Sequence, residues 1–218
     1  NPQLPPAQVD EVVALVLDRR SRDAFNENRR LHDWMVRGIR SIVYTDEHGA
    51  EHNPTVRLID FSDEEANDYL VANQVMVVDG DHKRRFDVVC YLNGLPVGLI
   101  ELKKAGDAYT DLQGAHRQIG TYVEELPLAF RANVVCVVTD GVTARYGTAF
   151  TPYEHFAPWN VDERGEPVPQ PPASDADLAI NLTLHGLFTP RRFLDLLAGY
   201  VSFAESRGGA VKRIAKAH

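Results

Sequence analysis

The chain has 218 residues, 44% hydrophobic and 25% charged, the composition of an ordinary soluble globular protein. No run approaches the ~18 apolar residues of a membrane helix, and the N-terminus lacks the basic and apolar regions of a signal peptide. A net charge of −8 argues against coating nucleic acid through bulk charge but leaves room for a localised basic groove.

The length suits one large domain, or one domain with an appendage. The chain begins without Met in the loop-like "NPQLPP", which is expected of a piece of a longer protein. Its two cysteines, Cys90 and Cys136, lie inside apolar runs and read as small buried hydrophobes, in a protein expected in the cytoplasm. No Cys/His spacing suggests zinc.

In chain order, Val9, Val12, Val13, Leu15 and Val16 predict a helix over 7–20, and Leu31, Trp34 and Met35 one over 23–38. "SIVYTDEHGAEHNPTVRLIDF" predicts a hairpin turning at Asp46–Gly49, followed by a short helical turn or loop at "SDEEAND". "NQVMVVDG" predicts a strand and "DHKRR" a basic loop. Strands follow at 86–92 and 96–103, joined by Asn93–Gly94, a strong hairpin signal. Leu112, Ala115, Ile119, Tyr122 and Val123 form one stripe of a helix over 109–126. "NVVCVVTD" reads as a buried central strand, with a shorter strand at 143–150. The proline-rich "GEPVPQPP" is a loop or linker. A helix is expected over 190–205, and then a basic tail.

The polar residues of the central hairpin carry the chemistry. Side chains alternate along a strand, so Glu101 and Lys103 share a face with Leu99. Counting back from the turn places Asp87 opposite position 100, beside Glu101. Two adjacent acids raise each other's pKa unless a cation neutralises them. Mg²⁺ suits such a pair: it takes one or two carboxylates and completes its shell with water and phosphate. Lys103 would hold the attacking water or an oxyanion. A salt bridge at an exposed strand edge is the plain alternative, but ionisable residues continuing the apolar run "VGLI" are unusual.

"RFDVVCYLNGLPVGLIELKKA" resembles the PD-(D/E)xK nuclease core. More closely, it resembles the N-terminal nuclease region of the R (restriction) subunit of type I restriction–modification enzymes. Arg85, Phe86 and Asp87 stand for the family's R-P-D, Asn93 to Pro96 for N-G-L-P, and Glu101 to Lys103 for E-L-K. Phe86 replaces the Pro. Gln118 and Tyr122 match a Q-x-x-x-Y helix motif, and "VVCVVTDGVTARYGT" resembles the family's next strand. "HFAPWN" and "VRLIDFSDEEANDYLVANQ" are similar to flanking segments.

The resemblance implies an α/β fold with a mixed central β-sheet flanked by helices, restriction-endonuclease-like. It implies a nuclease domain over 1–164, a proline-rich linker over 165–185 and a helical extension over 186–218 leading toward a translocase part. The implied activity is Mg²⁺-dependent cleavage of DNA, with Asp87, Glu101 and the carbonyl region of Leu102 as metal ligands and Lys103 as the catalytic cation. Gln118 and Tyr122 would position DNA or the catalytic groups; Arg84, Arg85, Lys104 and Arg145 would contact phosphate, although Arg145 reads equally as a structural arginine. Implied partners are DNA, the modification and specificity subunits, and translocase domains of the same chain. ATP belongs to those domains, since no Gly-Lys-Ser/Thr loop occurs here. An upstream acidic residue of the family's site has no match. Another nuclease of the superfamily, for repair or junction cleavage, and a non-catalytic DNA-binding or assembly module remain alternatives.

Overall fold

A computed structural model describes residues 4–103, 112–162, 164–168, 178–206 and 209–216. Helix α1 (Pro6–Leu17) starts on a proline, and α2 (Ala24–Arg37) is capped by Asp23, whose side chain accepts from the Asn26 N–H at 2.7 Å. A two-residue-per-strand hairpin follows, β1 (Tyr44–Thr45) and β2 (Glu51–His52), its turn held by the Asp46 carboxylate. After a 3-10 turn at Glu64–Ala66 come β3 (Tyr69–Asp79), β4 (His82–Leu92) and β5 (Leu95–Leu102). Helix α3 (Leu112–Glu125) leads to β6 (Val135–Thr139) and β7 (Ala144–Gly147). The chain continues through α4 (Ala179–Phe188), α5 (Pro190–Gly199), β8 (Val201–Ser206) and β9 (Gly209–Ile214).

The main sheet has the order β3-β4-β5-β6-β7. Only β5 and β6 run parallel, because α3 carries the chain back across the sheet between them. One face packs Phe86, Val89, Leu99, Cys136 and Val138 against Ala115, Ile119 and Tyr122 of α3. The other face packs Cys90, Ile100, Val135 and Val137 against Leu31 and Met35 of α2, Leu187 of α4, and Leu194 and Leu197 of α5. This is the expected α/β architecture, a mixed central sheet flanked by helices, and it is consistent with a restriction-endonuclease-like fold.

Three local expectations are corrected. "DHKRR" is not a loop: His82 to Arg85 open β4 and pair with Met76 to Asp79. The segment expected as linker already contains α4 from Ala179. The helix expected over 190–205 stops at Gly199, and Val201–Ser206 pairs antiparallel with Gly209–Ile214 where helix and tail were expected. Tyr200 and Val201 extend the apolar stripe on paper, yet Tyr200 is exposed and closes the helix.

Polar contacts fasten distant segments to this core. Arg131 pairs with buried Glu27 at 3.0 Å and donates to the carbonyls of Val16, Leu17 and Asp18 at the end of α1. Lys212 of β9 is fully buried, its ammonium donating to Asn28 Oδ1 at 2.8 Å and the Asn133 carbonyl at 2.6 Å. The Thr151 hydroxyl donates to the Lys212 carbonyl at 2.7 Å.

The α4 contact leaves no room for a side chain at Gly186, where a Cβ would sit 2.1 Å from the Trp159 ring. Gly186→Ala is therefore expected to destabilise the fold by about 1–3 kcal/mol through overpacking, read from the urea midpoint.

Candidate active site

The β4–β5 pairing decides where the acids meet. Near the turn, Leu92 pairs with Leu95 and Tyr91 with Pro96, but Cys90 pairs with Gly98. Val97 is the extra residue of a β-bulge. Beyond it Val88 pairs with Ile100, so the next position sets Asp87 opposite Glu101 itself. Counting from the turn alone, without the bulge, gives position 100 as the partner of Asp87, one residue off.

A second irregularity orients Asp87. Phe86 and Val89 both face α3 while Val88 packs on the other side, so the alternation of β4 slips at Asp87. β3 slips at the same level: Gln74, between partners of Val88 and Phe86, has a φ of 53°. A non-glycine residue in that region is uncommon and strained. The Gln74 amide donates to Asp87 Oδ1 at 3.2 Å, and the Leu102 N–H donates to Asp87 Oδ2 at 2.9 Å. The Asp87 carboxylate thus stands where a ladder carbonyl would have been, at the end of β5. Gln74 was not singled out from sequence; its signal is the broken alternation between Ala72 and Val75.

Glu101 is 2% exposed, and its Oε2 has no hydrogen-bond partner among the described residues. Burial, and next the Asp87 charge, push its pKa up to about 7 against the opposing pull of Lys103. Lys103 Nζ lies 3.7 Å from Glu101 Oε1 and donates to Gln118 Oε1 at 2.5 Å. The Gln118 amide in turn donates to the Tyr122 hydroxyl. These two residues are one helical turn apart on α3, facing the sheet. Tyr122 is buried with its ring 4.7 Å from that of Phe86, and burial raises its phenol pKa. Asp87, Glu101, Lys103, Gln118 and Tyr122 therefore form one connected group.

The expected phosphate contacts divide differently. Arg84 is held by Glu125 of α3 at 2.7 Å. Arg85 is exposed on the opposite face of β4. Arg145 stands in one cross-strand row with Glu101 and Val138 but donates to the Phe156 carbonyl at 3.0 Å, tying down that segment. Lys104 lies outside the described residues. Leu102 presents its N–H, not a side chain, to Asp87.

The donor set is hard oxygen. No group of three or more His, Cys, Asp or Glu side chains converges among the described residues, but two carboxylates do, one with a buried oxygen lacking a partner. That suits an ion taking one or two carboxylates and keeping several waters.

The family described as "Type I restriction enzyme R protein N terminus" matches residues 1–155. The chain belongs to this family. The HindI type I restriction enzyme endonuclease subunit of Haemophilus influenzae is 31% identical over 221 residues, covering 100% of this chain and 20% of its own length. A type I restriction enzyme endonuclease subunit of Staphylococcus aureus (strain COL) is 36% identical over 81 residues, 37% of this chain and 8% of the relative. The chain thus spans about a fifth of the HindI subunit. In an R protein N terminus the conjunction of Asp87, Glu101 and Lys103 lies within the matched residues, as does the Gln118–Tyr122 pair.

Proposed function

We propose that this chain is the nuclease domain of a type I restriction enzyme R subunit, hydrolysing DNA phosphodiester bonds with Mg²⁺ held by Asp87 and Glu101. The observation that carries this reading is the buried, partnerless Oε2 of Glu101 opposite Asp87, with the Lys103 ammonium 3.7 Å from the same carboxylate. Mg²⁺ bound there would lower the pKa of a coordinated water and offset charge on the phosphorane-like transition state.

The residues do the rest. Asp87 is held by Gln74 and the Leu102 N–H, so its position is fixed before substrate arrives. The Leu102 carbonyl can join as a third oxygen ligand. Lys103 supplies a fixed positive charge to the attacking water, and the Gln118–Tyr122 pair holds its Nζ in place. Arg85 and Lys104 are proposed phosphate contacts, and Arg84 and Arg145 become so only by leaving Glu125 and Phe156. Target choice falls to the modification and specificity subunits, and ATP-driven movement to translocase domains of the same chain, in the cytoplasm.

The test is DNA cleavage by the full-length R subunit assembled with its partners, in Mg²⁺. Asp87→Asn and Glu101→Gln are each expected to slow cleavage at least ~100-fold, in proteins whose circular dichroism matches the parent. Parental cleavage by either variant would reject the assignment.

A further inference from the structure

β4 runs past its partner. It pairs with β5 only from Val88 to Leu92, whereas its pairing with β3 continues through Phe86–Val75, Arg85–Met76, Arg84–Val77, Lys83–Val78 and His82–Asp79. Those five pairs make a two-stranded ribbon of about 17 Å that starts at Asp87 and Gln74.

Directly opposed residues of an antiparallel pair share a face, so the ribbon's two faces can be read from the register. The inner face carries Val75, Val77 and Phe86 against Ala129 and Phe130, with Arg84 on Glu125. The outer face carries Met76 (51% exposed) and Val78 (62% exposed), interleaved with Arg85 and Lys83. Nothing among the described residues covers it, and neither Lys83 nor Arg85 has an acidic partner there. The inner cations are neutralised and the outer ones are not, in a chain of net charge −8.

We infer that the β3–β4 ribbon is an arm that enters a groove of duplex DNA, its outer face of Met76, Val78, Lys83 and Arg85, turned away from α3, holding the backbone. This rests on the reading of the chain as a DNA nuclease. A major groove about 12 Å wide admits a two-stranded ribbon. Lys83 and Arg85 meet phosphates, and Met76 and Val78 supply apolar contact to sugars and thymine methyls. The ribbon joins the main sheet at Gln74 and Asp87, so a duplex gripped by the arm is anchored one strand end away from the candidate site, on the other side of the sheet.

The test is fluorescence anisotropy of a labelled duplex against the full-length R subunit across a salt series. Lys83→Gln/Arg85→Gln is expected to raise Kd roughly 10-fold and to lower the slope of log K against log salt by about two, one for each lost phosphate contact. Arg22→Gln/Arg40→Gln, two exposed arginines elsewhere, should leave the slope unchanged. An unaltered Kd and slope in the ribbon variant overturns the inference, as does absence of parental binding at low salt. So does lost subunit assembly with DNA affinity intact, which would make this face a protein contact. Asp87→Asn separates the two readings: it should bind like the parent but not cleave. If it cleaves normally while the ribbon variant loses DNA affinity, the nuclease assignment fails and the arm stands.

Discussion

Glu101→Gln is expected to stabilise the folded chain at pH 8 by roughly 3 kcal/mol and to leave its stability at pH 4.5 unchanged. Glu101 titrates near 7 in the fold, because burial and then Asp87 disfavour its charge, against 4.5 when unperturbed. Between those values the native state binds more protons than the unfolded one, so stability falls as pH rises through the window and stays low above it. The amide is neutral at every pH and escapes the penalty. Urea denaturation of parent and variant from pH 4 to 8 reads the effect directly. A flat difference across the series would mean that Glu101 is ionised at little cost. Mg²⁺ bears on the same carboxylate. An ion bound there needs Glu101 deprotonated, so its apparent affinity should rise about tenfold per pH unit below 7 and level off above. Thermal shift measured with and without Mg²⁺ at pH 6 and 8 checks this without reference to cleavage.

Lys212→Met should remove an alkaline gain in stability. Burial lowers the Lys212 pKa to about 7 from 10.5, and no carboxylate is among its hydrogen-bond partners. The unfolded chain then holds a proton that the folded chain lacks, from pH 7 to 10.5. Stability therefore rises with pH through that window, by something on the order of 4 kcal/mol, and is at its lower level below pH 7. The neighbours do not titrate there. His32 is held down to about 3 by burial and the Lys212 charge, and Cys136 is pushed up to about 12 by burial. The Met variant keeps the volume, loses two hydrogen bonds, and should gain on the parent most at pH 7 or below. An identical pH dependence in both proteins would show that Lys212 remains charged in the fold.

The central hairpin was legible because its signals are local. Asn93–Gly94 marked the turn, and "VGLI" before Glu101 marked a buried strand end. The motif residues Asp87, Glu101, Lys103, Gln118 and Tyr122 then came together in space. The register was less legible, since the bulge at Val97 carries no local turn or glycine-pair signal, and the neighbouring Gly98 lies against Phe188, in a helix some ninety residues away. "DHKRR" looked like a loop because a ribbon overhanging its sheet has one face in water, and His, Lys and Arg on strand positions carry no strand signal. The end of the chain misled for the opposite reason. Phe193, Leu196, Leu197, Tyr200 and Val201 fit a helical period that outlasts the helix. Lys212 looked like part of a basic tail, and only the tertiary fold, with Asn28 and Asn133 waiting as acceptors, makes it a core residue. At Gln74 the broken alternation marks an irregular strand position, but its role lies in the Asp87 carboxylate across the ladder, which local pattern does not name.

Arg131 also sets a clock on biosynthesis. It grips carbonyls at the end of α1 that lie 113–115 residues earlier in the chain. A ribosome adding about 5–20 residues per second needs roughly 6–23 s to cover that distance. During that interval the last turn of α1 is unfastened and the Glu27 carboxylate lacks its Arg131 partner. α1 is thus made well before the arginine that fastens it, and that delay is written into the position of one residue.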